Sequence, residues 1–319
     1  MRISSYSFFP NLYSMDISGR ALLAPISTFT NLPFRLLCQK HGAQGATVPL
    51  VSAKAIIMHE SPMSPAKRKR NAMELDPDPS ERFVAVQLFG SMPDDIGKAA
   101  SIVAKRFDFI KHIDINCACP VKKLVRTGAG AALLHKPDKV AKMIKATKEC
   151  GIPVTVKLRK LPEDAATLEF CRVCEEAGAE ALFVHGRLPG QGYSGIADWE
   201  ITAAIAQHVS IPVIGSGDIH SMEQGRNAVQ KSGCAGFMIG RAAMADPEVF
   251  SSPPLATLGR KRSLFMEYVE LCGEFKVVRL SDLKSKAIQI FSSFDDSTSF
   301  RAKIGLSNSE EELMRCCVD

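Results

Sequence analysis

The segment Pro153-Val154-Thr155-Val156-Lys157-Leu158 decides the reading of the fold. It is a short, strand-like apolar run. An amphipathic helical stretch follows at 165–177, and then a second apolar run, Ala181-Leu182-Phe183-Val184-His185. Strand, helix, strand implies a βαβ unit and a parallel pair. The alternation extends outward. Strand-like runs lie at 21–25, 45–49, 83–89, 113–116, 212–215 and 236–239, with amphipathic stretches at 139–149, 200–207 and 221–231. Eight such units predict an α/β fold closed as a (β/α)8 TIM barrel. An open doubly wound sheet is the alternative.

Two stretches break the pattern. Residues 59–82 are rich in proline and charge and contain Lys67-Arg68-Lys69-Arg70. That run reads as a solvated loop in preference to a nuclear or nucleic-acid signal. Beyond Ser251-Ser252-Pro253-Pro254 the periodicity is helical, at 265–275, 283–294 and 310–316. The expected organisation is a catalytic barrel over 1–254 and a small helical domain over 255–319.

A chain of 319 residues with 46 % hydrophobic content has the size and composition of a globular enzyme. Its net charge of +6 favours an anionic partner. Residues 255–319 balance ten basic against ten acidic side chains, so the excess lies in 1–254. Ten irregularly spaced cysteines read as free thiols in a reducing cytoplasm. Residues 1–10 lack the apolar core of a signal peptide, and no apolar stretch is long enough for a transmembrane helix. A cytoplasmic monomer is expected.

In a barrel the C-terminal ends of the strands face the active site. Read in order, those ends offer Pro25, Ile26 and Ser27, then Gln87, then Asn116 and Cys119. Lys157 and Arg159 follow, then His185 and Arg187, then Ser216, Gly217 and Asp218, then Gly240 and Arg241. The last two loops suit a phosphate, which binds backbone N–H groups where glycine allows close approach. Each loop alone is a tight turn. Gln87 and Lys157 can hydrogen-bond a flavin ring and stabilise its anionic reduced form. Taken singly, Lys157 pairs with a rim carboxylate and His185 is a satisfied rim histidine.

The run Asp114-Ile115-Asn116-Cys117-Ala118-Cys119-Pro120 ends a strand and places Cys119 in a loop, followed by Lys122 and Lys123. An ordinary thiol, with pKa about 8.5, is mostly protonated at neutral pH and can donate a proton. Strand alternation puts Ile113, Ile115 and Cys117 on one face and Asp114 and Asn116 on the other. A metal at Cys117 and Cys119 finds no second ligand pair. Cys171 and Cys174 read as packing on a helix, and Cys316-Cys317 carries no signal. No metal is expected.

At this point the chain resembles the tRNA-dihydrouridine synthase family over about residues 20–250. The resemblance rests on Ala24-Pro25-Ile26, Asn31-Leu32-Pro33-Phe34-Arg35, Val51-Ser52-Ala53-Lys54 and Val86-Gln87-Leu88-Phe89-Gly90. It continues in Asp114-Ile115-Asn116 with Cys119-Pro120-Val121-Lys122-Lys123, and in Gly128-Ala129-Gly130-Ala131-Ala132-Leu133-Leu134. Val154-Thr155-Val156-Lys157-Leu158-Arg159, His185-Gly186-Arg187, Tyr193-Ser194-Gly195, Ala197-Asp198-Trp199, Gly217-Asp218-Ile219 and Gly240-Arg241-Ala242 complete it.

The resemblance implies a barrel holding FMN, reduced by NADPH or NADH. Hydride then goes to C6 of a uridine in tRNA, and a cysteine protonates C5; by position this is Cys119. It implies Pro25, Ile26, Ser27, Gln87, Lys157 and His185 at the flavin ring. It implies Ser216, Gly217, Asp218, Gly240 and Arg241 around the phosphate. Asn116, Lys122, Lys123, Arg126 and Arg187 are the implied substrate contacts. A stacked uridine must leave its stack to be reached.

The chain departs from the family at five places. Ala118 stands for the usual glycine, Cys117 for a methionine-like residue and Ser216 for asparagine. Val48-Pro49-Leu50 stands for Thr-Glu-Met, and Leu188 for threonine. Ser216 removes an amide near the flavin, and Val48-Pro49 removes polar contacts at strand 2. Two rival classes remain: an FMN barrel oxidoreductase of a small molecule, such as a dihydropyrimidine or dihydroorotate, and a tRNA-binding factor without chemistry.

Overall fold

The computed structural model describes residues 17–60, 75–251, 257–276, 279–292 and 297–318. The eight runs form eight strands: β1 (Ala21–Leu23), β2 (Ala46–Ser52), β3 (Val84–Phe89), β4 (His112–Cys117), β5 (Val154–Arg159), β6 (Ala181–His185), β7 (Val213–Ser216) and β8 (Gly236–Ile239). Each pairs in parallel with the next, and β1 pairs with β8, closing the barrel. Helices cover its outside, among them Pro93–Arg106, Pro137–Lys148, Asp164–Glu176 and Trp199–His208.

The period of two sorts the strand residues. On β4, Ile113, Ile115 and Cys117 join the apolar layer between strands and helices, while His112, Asp114 and Asn116 face the barrel axis. The lower interior is a plug of Ile17, Leu22, Phe183, Ile214 and Met238. The upper interior is polar. Pairing sets Gln87 beside Asp114, Asn116 beside Lys157, Arg159 beside His185, and His185 beside Ser216. Parallel register thus gathers residues from five strands at one level.

β2 runs past the expected end at 49. Its register with β3 shifts between Val48 and Val51, and Leu50 takes φ +40°. Proline has no N–H for the ladder, so a bulge absorbs Pro49 and the strand resumes beyond it.

The C-terminal region forms four helices, Leu258–Glu274, Leu280–Ile290, Ser297–Leu306 and Glu310–Val318. The third was not legible. Only Ile304 of it is buried, so it carries no apolar stripe. These helices share a core with the barrel: Leu264, Phe265, Tyr268, Leu283 and Phe291 pack with Leu23, Phe34 and Ile239. The boundary expected at 254 and the basic run Lys67-Arg68-Lys69-Arg70 lie outside the described residues. No described helix is long and apolar enough to cross a membrane.

Candidate active site

Two cavities adjoin at the C-terminal mouth of the barrel. The first is lined by Pro25, Ile26, Ser216, Gly217, Asp218, Gly240 and Arg241 among others. The second is lined by Pro25, Ile26, Ser27, Leu50, Gln87, Asn116, Cys119 and Arg159 among others. Lys157, His185 and Tyr193 line both. The expected phosphate residues therefore fall in one chamber and the expected thiol in the next.

Lys157 is one of the residues shared by the two linings. Its side chain is buried, yet it makes no hydrogen bond or ion pair with any described residue. Burial lowers its pKa to about 8, with the charge of Asp114 pulling the other way. Asp114 is itself raised to about 6 by burial, against hydrogen bonds from Gln87 and Thr155 and the charge of Lys157. His185 is driven down to about 2 by burial, then by Lys157, Arg159 and Arg187. It is therefore a neutral ring in a cationic surround.

Cys119 sits half-buried in the loop after β4. Its N–H donates to Asn116 Oδ1 at 3.0 Å, and its carbonyl accepts from the Ala131 N–H at 2.9 Å. Gly130 makes that approach possible. It has φ +61°, and a Cβ there would lie 2.6 Å from the Cys119 oxygen. Cys117 is fully buried in the outer layer, and burial drives its thiol pKa far up. Of the two, only Cys119 lines a cavity.

The first chamber is built around Asp218, held at φ +56°. Its carboxylate accepts from Arg187 Nη2 through both oxygens (2.9 and 2.7 Å), from Arg241 Nη2 at 2.8 Å and from the Ala197 N–H at 2.7 Å. Two arginines on one carboxylate leave the cluster a net positive charge. The Gly217 carbonyl accepts from Trp199 Nε1 at 3.0 Å, and a Cβ on Gly217 would lie 2.5 Å from the Ala197 Cβ. Ser216 Oγ donates to the Val184 carbonyl at 3.0 Å.

A family model described as Dihydrouridine synthase (Dus) matches residues 22–301. The chain belongs to the dihydrouridine synthase family. It is accordingly an oxidoreductase. A "tRNA-dihydrouridine synthase B" of Klebsiella pneumoniae is 35 % identical over 81 % of this chain and 82 % of its own length. A "Probable tRNA-dihydrouridine synthase" of Aquifex aeolicus is 29 % identical over 93 % and 94 % respectively. A solved 2-naphthoyl-CoA reductase complex aligns over 72 % of this chain and 49 % of that one, with TM-score 0.53 and 10 % identity, a likeness of fold alone.

In this dihydrouridine synthase family member, four expected site residues lie outside both cavity linings. Lys122, Lys123 and Arg126 are exposed on the rim beyond Cys119. Arg187 is 1 % exposed. Besides Asp218 it donates to the carbonyls of Ser194 and Gly195, so its guanidinium builds the loop after β6 and does not reach into the mouth. Three residues join the site that were not assigned a role. Arg159 has the inward parity of Lys157 and was visible on that ground. Strand alternation sets Asp114 on the same face as Asn116 and gives it no task. Tyr193 stands 56 % exposed on an irregular loop, beneath the Arg241 guanidinium at 4.6 Å, and no periodicity marks it.

Charge is strongly segregated along this chain. Residues 96–148 hold twelve Lys/Arg against three Asp/Glu, a net +9, whereas 149–200 hold five against nine, a net −4. The basic block spans the helices Pro93–Arg106 and Pro137–Lys148 and the rim loop between them.

Proposed function

We propose that this enzyme reduces specific uridines of tRNA to 5,6-dihydrouridine, with FMN as cofactor and NADPH or NADH as reductant, in the cytoplasm. The observation that carries the reading is Lys157: a buried side chain whose ammonium makes no ion pair with any described residue, at the junction of a chamber rich in arginine and glycine and a thiol-bearing one. The names of the relatives supply the substrate class.

The residues present fit FMN. The Ser216–Asp218 and Gly240–Arg241 loops would hold its phosphate, with the Arg187–Asp218–Arg241 cluster behind them supplying positive charge. Pro25, Ile26 and Ser27 would lie against the ring, with Gln87, Lys157 and His185 at its polar edge. When bound, the flavin supplies the hydride for C6 of the pyrimidine. Lys157 stabilises negative charge at that edge, and neutral His185 adds none of its own. Cys119 holds the proton for C5, since hydride addition leaves a carbanion-like carbon that needs an acid on the opposite face. Asn116 and Arg159 line the same chamber and present N–H groups to carbonyl oxygens of a flipped base.

Unmodified tRNA incubated with the protein, FMN and NADPH, then digested to nucleosides for mass spectrometry, tests the reading. The expected product is uridine carrying two added hydrogens, absent without protein. A flavin-bound protein that oxidises NADPH but leaves uridine unchanged would return the reading to a small-molecule oxidoreductase.

The rim gives a second test. Exposed cations that meet phosphates release counter-ions, so affinity falls steeply with salt. The triple variant Lys122→Ala, Lys123→Ala, Arg126→Ala is expected to raise KM for tRNA about tenfold with kcat little changed. It should flatten the slope of log affinity against log salt by about 2. An unchanged slope would remove these residues from the RNA contact.

A further inference from the structure

The barrel interior holds a carboxylate, Asp114, that makes no ion pair with any described residue, although it is 1 % exposed. Its oxygens accept two hydrogen bonds, from Gln87 Nε2 at 2.8 Å and from Thr155 Oγ1 at 2.7 Å. Gln87 Oε1 in turn accepts from Asn116 Nδ2 at 2.8 Å. Asn116 Oδ1 accepts from the backbone N–H groups of Cys119 (3.0 Å) and Ala118 (3.3 Å). One continuous relay thus joins a buried anion to the loop that carries the thiol.

The direction of this relay is fixed at its inner end. An ionised carboxylate only accepts hydrogen bonds. Gln87 must therefore turn its NH2 group to Asp114 and its oxygen to Asn116. Asn116 must then donate to Gln87, which turns its own oxygen to the Cys119 loop. If Gln87 were reversed, Asn116 would place an NH2 group against two backbone N–H groups, and no bond could form. Each amide has one N–H left over, and both residues line the thiol-bearing cavity. The mouth is thereby furnished with donors, which suit carbonyl oxygens of a ring.

We propose that Asp114 is a positioning residue: by setting the polarity of the Gln87–Asn116 relay, it orients both amides toward the ligand and holds the Cys119 loop in register. The proposal rests on the uridine-reductase reading for its catalytic consequence, but the relay itself is testable without RNA. Lys157 stays outside the relay, which leaves its ammonium to the ligand.

Two variants and two readouts separate positioning from bulk stability. In Asp114→Asn the new amide oxygen can still accept from Gln87 while its NH2 donates to the Thr155 hydroxyl, so the polarity survives. In Asp114→Leu the acceptor is gone while the branched shape of the side chain is kept. The first readout is the rate of iodoacetamide alkylation at Cys119, followed by peptide mass spectrometry on the purified holoprotein. The second compares tRNA reduction with NADPH oxidation by an artificial electron acceptor.

Asp114→Leu is expected to change the Cys119 rate at least about fivefold and to lower tRNA reduction about 10- to 100-fold, the size of one charge-assisted hydrogen bond. NADPH oxidation should fall less than tRNA reduction, because only Gln87 of the relay meets the flavin edge, and Asp114→Asn should stay within about threefold of wild type in the Cys119 rate. An unchanged Cys119 rate in Asp114→Leu, or equal losses in both variants, would overturn the proposal. If the core thiols Cys171 and Cys174 also react in Asp114→Leu, the fold is damaged, and Gln87→Met decides instead. That variant cuts the same relay and must shift the Cys119 rate with both core thiols protected; no shift refutes the relay. A wild-type protein that reduces no uridine would refute the functional reading, while the alkylation comparison still decides the relay.

Discussion

Replacing Cys119 by alanine is expected to lower uridine reduction about 10²- to 10⁴-fold, the usual contribution of a positioned general acid. On the proposed flavin reading, reduction of the cofactor by NADPH should be unaffected, because the proposed acid serves only the step that saturates the base. The structure makes this a prediction about one thiol. Cys119 lines the second cavity, its N–H and carbonyl are both tied down, and the chain around it turns through Gly130. Cys117 cannot substitute. It points into the outer layer with Ile113 and Ile115, and its proton is held by burial. The decisive measurement is single-turnover: protein reduced beforehand, mixed with unmodified tRNA, sampled for dihydrouridine. Cys119→Ala reacting at the wild-type rate would remove the thiol from the reaction. Cys119→Ser should fall between the two, since a hydroxyl is a weaker acid that still reaches the same place.

The barrel was legible because its cause is local. Short apolar runs spaced by amphipathic helices can bury themselves in few ways, and the eight strands arise where those runs stand. The failures trace to forces that periodicity does not report. Pro49 ends a strand by local rules, yet β2 continues through a bulge to Ser52, because pairing with β3 resumes at Val51. The helix Ser297–Leu306 buries one residue, so nothing in its pattern distinguishes it from a loop. The site shows the same division. Gln87, Asn116, Lys157 and His185 were visible as polar ends of apolar strands, since closure of the barrel brings all such ends together. Arg187 looked the same in one dimension. Only the loop that returns Ser194 and Gly195 to its guanidinium reveals that it is committed inward. Asp114 shares the inward face of Asn116, but its task depends on which atom of Gln87 it meets, and that is set by register across two strands.

The motif Asn31-Leu32-Pro33-Phe34-Arg35 leads to the second large effect, on stability. Asn31 caps the helix Leu32–Lys40 by accepting from the Phe34 N–H, and Pro33 takes a first-turn position where no N–H is missed. Arg35 is fully buried. Its five N–H donors meet five acceptors: two oxygens of Glu81, one of Asp76, and the carbonyls of Asp76 and Thr30. The partners lie 41 and 46 positions away, so the motif announces the arginine and not its purpose. Arg35→Met leaves the buried Glu81 carboxylate uncompensated, which costs about 3–5 kcal/mol. For a chain of 319 residues that is a fall in Tm of about 5–7 °C. The double variant Arg35→Met, Glu81→Gln should recover part of the loss, because the fully buried Glu81 charge is then gone, while the part-exposed Asp76 still lacks its arginine. On the proposed cofactor reading, Arg35→Met should also weaken FMN. Arg35 holds the Thr30 carbonyl, and the Thr30 hydroxyl is bonded to Ile26, one of the residues lining both chambers. A hydrogen bond to a charged group is worth about 1.5–3 kcal/mol, which bounds the affinity loss at about ten- to a hundredfold. Calorimetry and flavin fluorescence titration read the two effects separately. A stable Arg35→Met with normal flavin affinity would show that the guanidinium is replaceable by volume alone. A destabilised variant with normal affinity would show that the Pro25–Ser27 loop is held from the barrel side and not from the helix.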